Sequence, residues 1–122
     1  PALSAGRDVV CDRFIDASHA YQGAGRGVQT DILSSLETWV LGKTRPDLTF
    51  ILDLAPATGL ERTRQRGIEN RFETENPAFM ERVRDAYLER ARSAPDRYVI
   101  IDASQSIERV RQQLQQALER KL

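Results

Sequence analysis

The run Val9-Val10-Cys11 ends abruptly in an acid and a base, Asp12-Arg13, and then opens into a polar, aromatic and glycine-rich stretch that reaches Gly27. An apolar run that stops at charge in this way reads as a buried parallel strand handing its carboxyl end to a binding loop, because ligands of open α/β sheets sit outside the C-terminal ends of the strands. Residues 48–54 form a nearly continuous apolar run, as a strand covered on both faces requires, and residues 98–102 form another. These three runs alternate with segments of helical periodicity, so the chain is expected to be α/β with a parallel sheet.

The helical segments carry their own punctuation. A short helix is expected over residues 16–22, after which Gly23, Gly25 and Gly27 let the backbone turn. Between residues 28 and 41, Val28, Ile32, Leu33, Leu36, Trp39 and Val40 fall at helical spacing, and Gly42 stops the helix. Packing of that stripe against the sheet is the expected reading, with a subunit contact as the alternative. Pro56 suits a first helical turn and Gly67 a left-handed cap, which predicts a helix over 56–66. Asn76-Pro77 starts another, with Phe79, Met80, Val83, Tyr87, Leu88 and Ala91 on one face. Ser106 caps the last helix, whose expected buried stripe is Ile107, Val110, Leu114, Ala117 and Leu118. Residues 1–8 read as a helix end and a turn, with Gly6 as the stop.

Composition excludes several classes of function. The chain has 122 residues, room for one domain with a modest core. Its 18 basic and 18 acidic residues cancel, so no net field recruits nucleic acid or an anionic membrane. Mean hydropathy is −0.50, and no apolar run approaches the ~20 residues of a membrane span. The single cysteine, Cys11, lies in the first expected strand, where it has no internal disulfide partner and fits a reducing cytosol. No zinc-type spacing or Ser/His/Asp order occurs, and the lone His19 reads as an ordinary packing or surface residue.

Two constellations carry chemistry. A carboxylate at a strand end such as Asp12 can hold water on Mg²⁺, and the neighbouring Arg13 can fork onto a phosphate; the pair can equally cap a turn. Four arginines, Arg62, Arg64, Arg66 and Arg71, surround the polar loop Gly67-Ile68-Glu69-Asn70. Cations near a helix C-terminus offset its dipole, which accounts for one of them, not for four.

The stretch from Asp12 to Gly27 resembles the second conserved block of bacterial thymidylate kinase: Asp12-Arg13-Phe14, then Ser18, Ala20-Tyr21-Gln22-Gly23 and Gly25-Arg26-Gly27. The likeness continues through Arg45-Pro46-Asp47-Leu48-Thr49, Leu52-Asp53, the arginine-rich segment 61–73 and Ile101-Asp102-Ala103, covering nearly the whole chain. It implies a three-layer P-loop nucleoside-monophosphate-kinase-like fold with a parallel sheet, incomplete here because the first strands are missing. Residues 1–122 would be the C-terminal part of one such domain, with the lid at about 62–73.

The implied reaction is phosphoryl transfer from ATP to dTMP with Mg²⁺, in a cytoplasmic homodimer. In that likeness Arg13 grips the acceptor phosphate, Ser18 and Gln22 read thymine, and Phe14 and Tyr21 pack the ring or sugar. Asp12 organises the metal through water, and Arg71 arrives with the lid. Arg62 or Arg66 stacks on adenine, with Ala103 and Gln105 beside it. No Gly-x-x-x-x-Gly-Lys-Ser/Thr occurs, so nothing here cradles the ATP phosphates, and the chain alone is expected to be inactive. In the resembling fold the missing first strand lies between those ending at Asp12 and Asp53, so its absence opens the sheet. Another nucleoside or nucleotide kinase of the same fold, or a non-catalytic nucleotide-binding or dimerising module, are the competing readings.

Overall fold

The computed structural model describes residues 1–67 and 76–121. Its order is a 3₁₀ turn Leu3–Ala5, α1 Ile15–Ser18 running on into a π-helical segment His19–Gly25, α2 Thr30–Leu41, β1 Thr49–Asp53, α3 Pro56–Gln65, α4 Pro77–Ser93, β2 Tyr98–Asp102 and α5 Ile107–Lys121. The two strands pair in parallel, Thr49 opposite Tyr98 through Asp53 opposite Asp102.

The terminators act as their chemistry dictates. The Asn76 side chain accepts from the Phe79 amide at 2.9 Å and Pro77 opens α4. Gly67 follows α3 at φ 65°, and Gly6 closes the 3₁₀ turn at φ 69°. Ser106 Oγ accepts from the Arg109 amide at the start of α5.

α4 is the hub. Phe79 and Val83 bury Ala20, while Ala91 packs with Ile51 and Tyr98, and Tyr87 touches both groups. The helical stretch 15–25, the sheet and α3 thus all lean on one helix.

Several expectations are corrected. Residues 9–11 form no strand; Val10 is 98% exposed and Cys11 is exposed, not buried. A parallel strand needs a hydrogen-bonded neighbour, and the only strands among the described residues pair with each other. For the same reason β1 is not covered on both faces: Ile51 is buried and Leu52 is 56% exposed.

The α2 stripe does not pack on the sheet. Leu33 alone is buried, Trp39 is 84% exposed, and Ile32, Leu36 and Val40 are exposed too. In α5, Ala117 is buried, but Ile107 and Leu118 are exposed. The short helix begins one residue early and extends to Gly25, so Gly23 and Gly25 lie inside it and the left-handed turn falls at Gly27, φ 81°. Gly23 and Gly25 instead give room to their neighbours: a Cβ would lie 2.9 Å from Leu33 Cδ1 at one and 2.6 Å from Phe79 Cε2 at the other, so a side chain at either must displace its neighbour.

Candidate functional site

The C-terminal ends of β1 and β2 bring Asp53 and Asp102 into register, and the Ala103 amide donates to the Asp53 carbonyl at 2.9 Å. The two carboxylates are satisfied differently. Arg84 of α4 forks onto Asp53, Nε to Oδ1 at 2.7 Å and Nη2 to Oδ2 at 3.0 Å. That hydrogen-bonded fork, against some opposing burial, holds the Asp53 carboxyl below its ordinary range. Asp102 turns onto its own loop, accepting from Ser104 Oγ, from Gln105 Nε2 at 3.0 Å and from the Ser104 amide at 2.9 Å. These donors lower its pKa as well.

Arg62, on the last turn of α3, donates from Nη1 to the Ala103 carbonyl at 2.7 Å and from Nη2 to the Ser104 carbonyl at 3.0 Å. The fold therefore gathers three expected nucleotide-side residues, Arg62, Ala103 and Gln105, around one loop. Arg66 caps α3 and is exposed. Arg71 and residues 68–73 of the expected lid lie outside the described residues.

On the other flank of α4, the chain leaves residues 9–11 through Arg13, the one non-glycine residue with positive φ among those described, at 57°. The left-handed region costs a side chain about 1 kcal/mol or more, and such strain concentrates at functional sites. The Arg13 guanidinium lies 5.6 Å from the centroid of Tyr21, whose ring meets Phe79 at 6.2 Å and Tyr87 edge-on at 6.4 Å. Burial, with Tyr21 adding to it, pushes the Tyr87 hydroxyl up to about 12.

Arg13 and Tyr21 are thus brought together. Phe14 and Gln22 are exposed and Ser18 is half-buried on the same stretch. The π-helical turn from His19 to Gly25 carries Tyr21 and Gln22, and such turns recur at functional sites. Asp12 is exposed. Its carboxylate is a hard oxygen donor of the kind that holds Mg²⁺ through water. Among the described residues no group of three or more His, Cys, Asp or Glu is placed to hold a metal ion. A single carboxylate suits Mg²⁺, which keeps several waters and takes its other ligands from substrate phosphates.

The sequence reading missed a buried ionic network. Asp16, 4% exposed, accepts from Arg90 Nε at 2.7 Å and from the Tyr98 hydroxyl. Burial and the Asp16 hydrogen bond together raise the pKa of that hydroxyl. Glu37 of α2 meets His19 Nε2 at 2.8 Å, Arg45 Nη1 at 2.8 Å and Arg90 Nη2 at 3.7 Å. The one local signal was the spacing of Asp16 and His19 with Ala20 and Gly23, which is that of a single helix face. Their partners are far away in sequence, and no spacing rule reaches them.

A family model described as thymidylate kinase matches residues 1–114. The chain is 51% identical over 114 residues to a thymidylate kinase of Pseudomonas putida (strain GB-1), covering 93% of this chain and 54% of that protein. It is 50% identical over 118 residues to one of Burkholderia ambifaria (strain MC40-6), covering 97% and 57%. The crystal structure of thymidylate kinase from Ehrlichia chaffeensis superposes with a TM-score of 0.71 at 30% identity, covering 96% of this chain and 52% of that one. The chain spans about half the length of the curated relatives it matches.

Proposed function

Because this chain belongs to the thymidylate kinase family, we propose that it is the C-terminal part of an ATP-dependent dTMP kinase, one thymidylate-kinase-like domain that transfers a phosphoryl group from ATP to dTMP. The observation that carries this reading is Arg13, held in a left-handed backbone over the Tyr21 ring. The left-handed backbone sets where the Arg13 side chain leaves the chain and the Tyr21 ring lies under its guanidinium, a group whose fork matches a phosphate; holding two anions in line is most of what phosphoryl transfer asks of a protein.

The acceptor side is Arg13 on the phosphate, the Ser18 hydroxyl and Gln22 amide on the thymine edge, and Phe14 and Tyr21 against the ring or sugar. An amide offers the base both a donor and an acceptor. The nucleotide side is the Ala103–Gln105 loop, pinned by Arg62, together with Arg66 at the C-cap of α3. Mg²⁺, held by Asp12 through water, would neutralise phosphate charge. Arg71 delivers a further cation to the transferring group. A phosphate-binding loop is absent from the 122 residues, so this stretch alone does not turn over.

The exposed apolar face of α2, Ile32, Leu36, Trp39 and Val40, supports a homodimer. The balanced charge and single cysteine fit the cytoplasm. No helix among the described residues is long and apolar enough to cross a membrane.

Calorimetry with dTMP and a coupled assay with ATP, on the full-length polypeptide that contains this chain, test the reading. Preference for dCMP or AMP over dTMP as acceptor, or indifference to dTMP in both measurements, refutes it. Among Arg62, Arg64, Arg66 and Arg71, alanine at Arg71 is expected to cost the most turnover, ~10³-fold or more, with little change in dTMP affinity.

A further inference from the structure

The helical stretch 15–25 presents Ser18, Tyr21 and Gln22, and it is too short to hold its own orientation, since isolated helices of this length are marginal in water. Its buried face, Asp16, His19, Ala20 and Gly23, has the methyl of Ala20 against Phe79 and Val83 as its apolar side chain, and beside that face the half-buried Tyr21 ring leans on Phe79 and Tyr87. Tyr21 is itself one of the presenting side chains, so the aim of the stretch also depends on contacts made by residues that do not face the acceptor.

Beside the Tyr98 hydroxyl on Asp16 and Glu37 on His19, α4 supplies directional contacts at both ends of the stretch. Arg90 takes Asp16 at 2.7 Å near the start of the stretch and reaches Glu37 of α2 at 3.7 Å. Arg82 donates from Nε to the Ala24 carbonyl at 3.2 Å and from Nη2 to the Gly25 carbonyl at 3.0 Å at its end. Two arginines eight residues apart stand about 12 Å apart along their helix, and they grip points eight to nine residues apart on the antiparallel partner. One contact fixes translation; two fix register and rotation.

Resting on the dTMP kinase reading for the identity of the ligand, we propose that Arg90, with Arg82 as its second point, is a positioning residue that aims Ser18, Tyr21 and Gln22 at the acceptor base. Neither arginine touches the acceptor itself. Loss of Arg90 removes one of the two points that fix register and rotation, and the three presenting side chains lose their aim with it; separately, it leaves the Asp16 carboxylate buried without its cation, which costs stability.

The test uses Arg90→Met, Arg90→Lys and the double variant Asp16→Asn/Arg90→Met in the full-length enzyme, with amide exchange resolved along residues 15–25. Arg90→Met is expected to speed exchange there about tenfold or more, with β2 and α5 unchanged. It should also weaken dTMP binding about tenfold, with ATP affinity within about twofold and kcat at saturating dTMP within about threefold; tenfold marks the loss of one directional contact. Arg90→Lys restores most of the dTMP affinity. The double variant removes the stranded charge and so recovers stability, but keeps the weak dTMP binding. Recovery of dTMP affinity together with stability in the double variant overturns the proposal, as does unchanged exchange over 15–25 in Arg90→Met. If the unsubstituted enzyme does not bind dTMP, the dTMP kinase reading fails, and the exchange measurement alone then decides whether Arg90 orients the stretch.

Discussion

Gly25 and Gly27 stand two residues apart and are required for different reasons, and alanine at each separates them. At Gly25, whose φ lies outside the left-handed region, a Cβ would sit 2.6 Å from Phe79 Cε2, 3.0 Å from Cζ and 3.3 Å from the Ala20 carbonyl. Ordinary carbon contacts are 3.5–4.0 Å, so the ring must retreat by about 1 Å. It has little room, because Phe79 is buried, with the Arg26 guanidinium 5.2 Å and that of Arg82 5.9 Å from its ring centroid. Overpacking of this kind costs about 1–3 kcal/mol, offset by the 0.5–1 kcal/mol that alanine gains over glycine in a helix. The expected net loss for Gly25→Ala is about 1–2 kcal/mol.

At Gly27 nothing lies within 4 Å and φ is 81°, so Gly27→Ala loses about 1–2 kcal/mol to backbone strain alone. Urea unfolding followed by far-UV circular dichroism reads both, since the exposed Trp39 is a poor fluorescent reporter. Each midpoint should fall by roughly 0.5–1 M. The two then part in a Phe79→Leu background, where a smaller side chain relieves the Gly25→Ala penalty by about 1 kcal/mol and leaves that of Gly27→Ala unchanged. Equal penalties for Gly25→Ala in both backgrounds, or a Gly25→Ala chain as stable as the parent, refute the steric argument.

Asp53 titrates below its ordinary range chiefly because Arg84 is forked onto it, so the stability from this pair is full above about pH 4 and is lost as pH falls through the depressed folded value. Thermal melts across that window should show Asp53→Asn losing less stability on acidification than the parent; parallel curves would contradict the assignment. Tyr87, raised to about 12 mainly by burial, behaves in the alkaline direction: the unfolded chain ionises near pH 10, so stability declines between about pH 10 and 12. Tyr87→Phe should flatten that decline, and an identical decline in the variant would count against burial of the hydroxyl. Arg62→Ala frees the Ala103 and Ser104 carbonyls, and in the full-length enzyme it is expected to raise the KM for ATP about tenfold while that for dTMP stays put, at about 1 kcal/mol of stability. Equal rises for both substrates would place Arg62 outside the nucleotide side.

What the sequence determined by itself is local. Apolar runs, prolines and cap residues located β1, β2, α3 and α4, because Asn76, Pro77 and Gly67 act within a few residues of themselves. The resemblance of residues 12–27 to the thymidylate kinase block singled out Arg13 and Tyr21, and the structure brings their side chains together. Tertiary structure decided the rest. Whether residues 9–11 become a strand depends on a hydrogen-bonding neighbour, not on their apolarity, and the stripe of α2 is equally apolar whether covered or bare. The ties from Arg90 to Asp16 and from Arg84 to Asp53 join residues 74 and 31 positions apart. Chain folding alone brings such groups within 3 Å, because charge complementarity has no period to be read along a sequence.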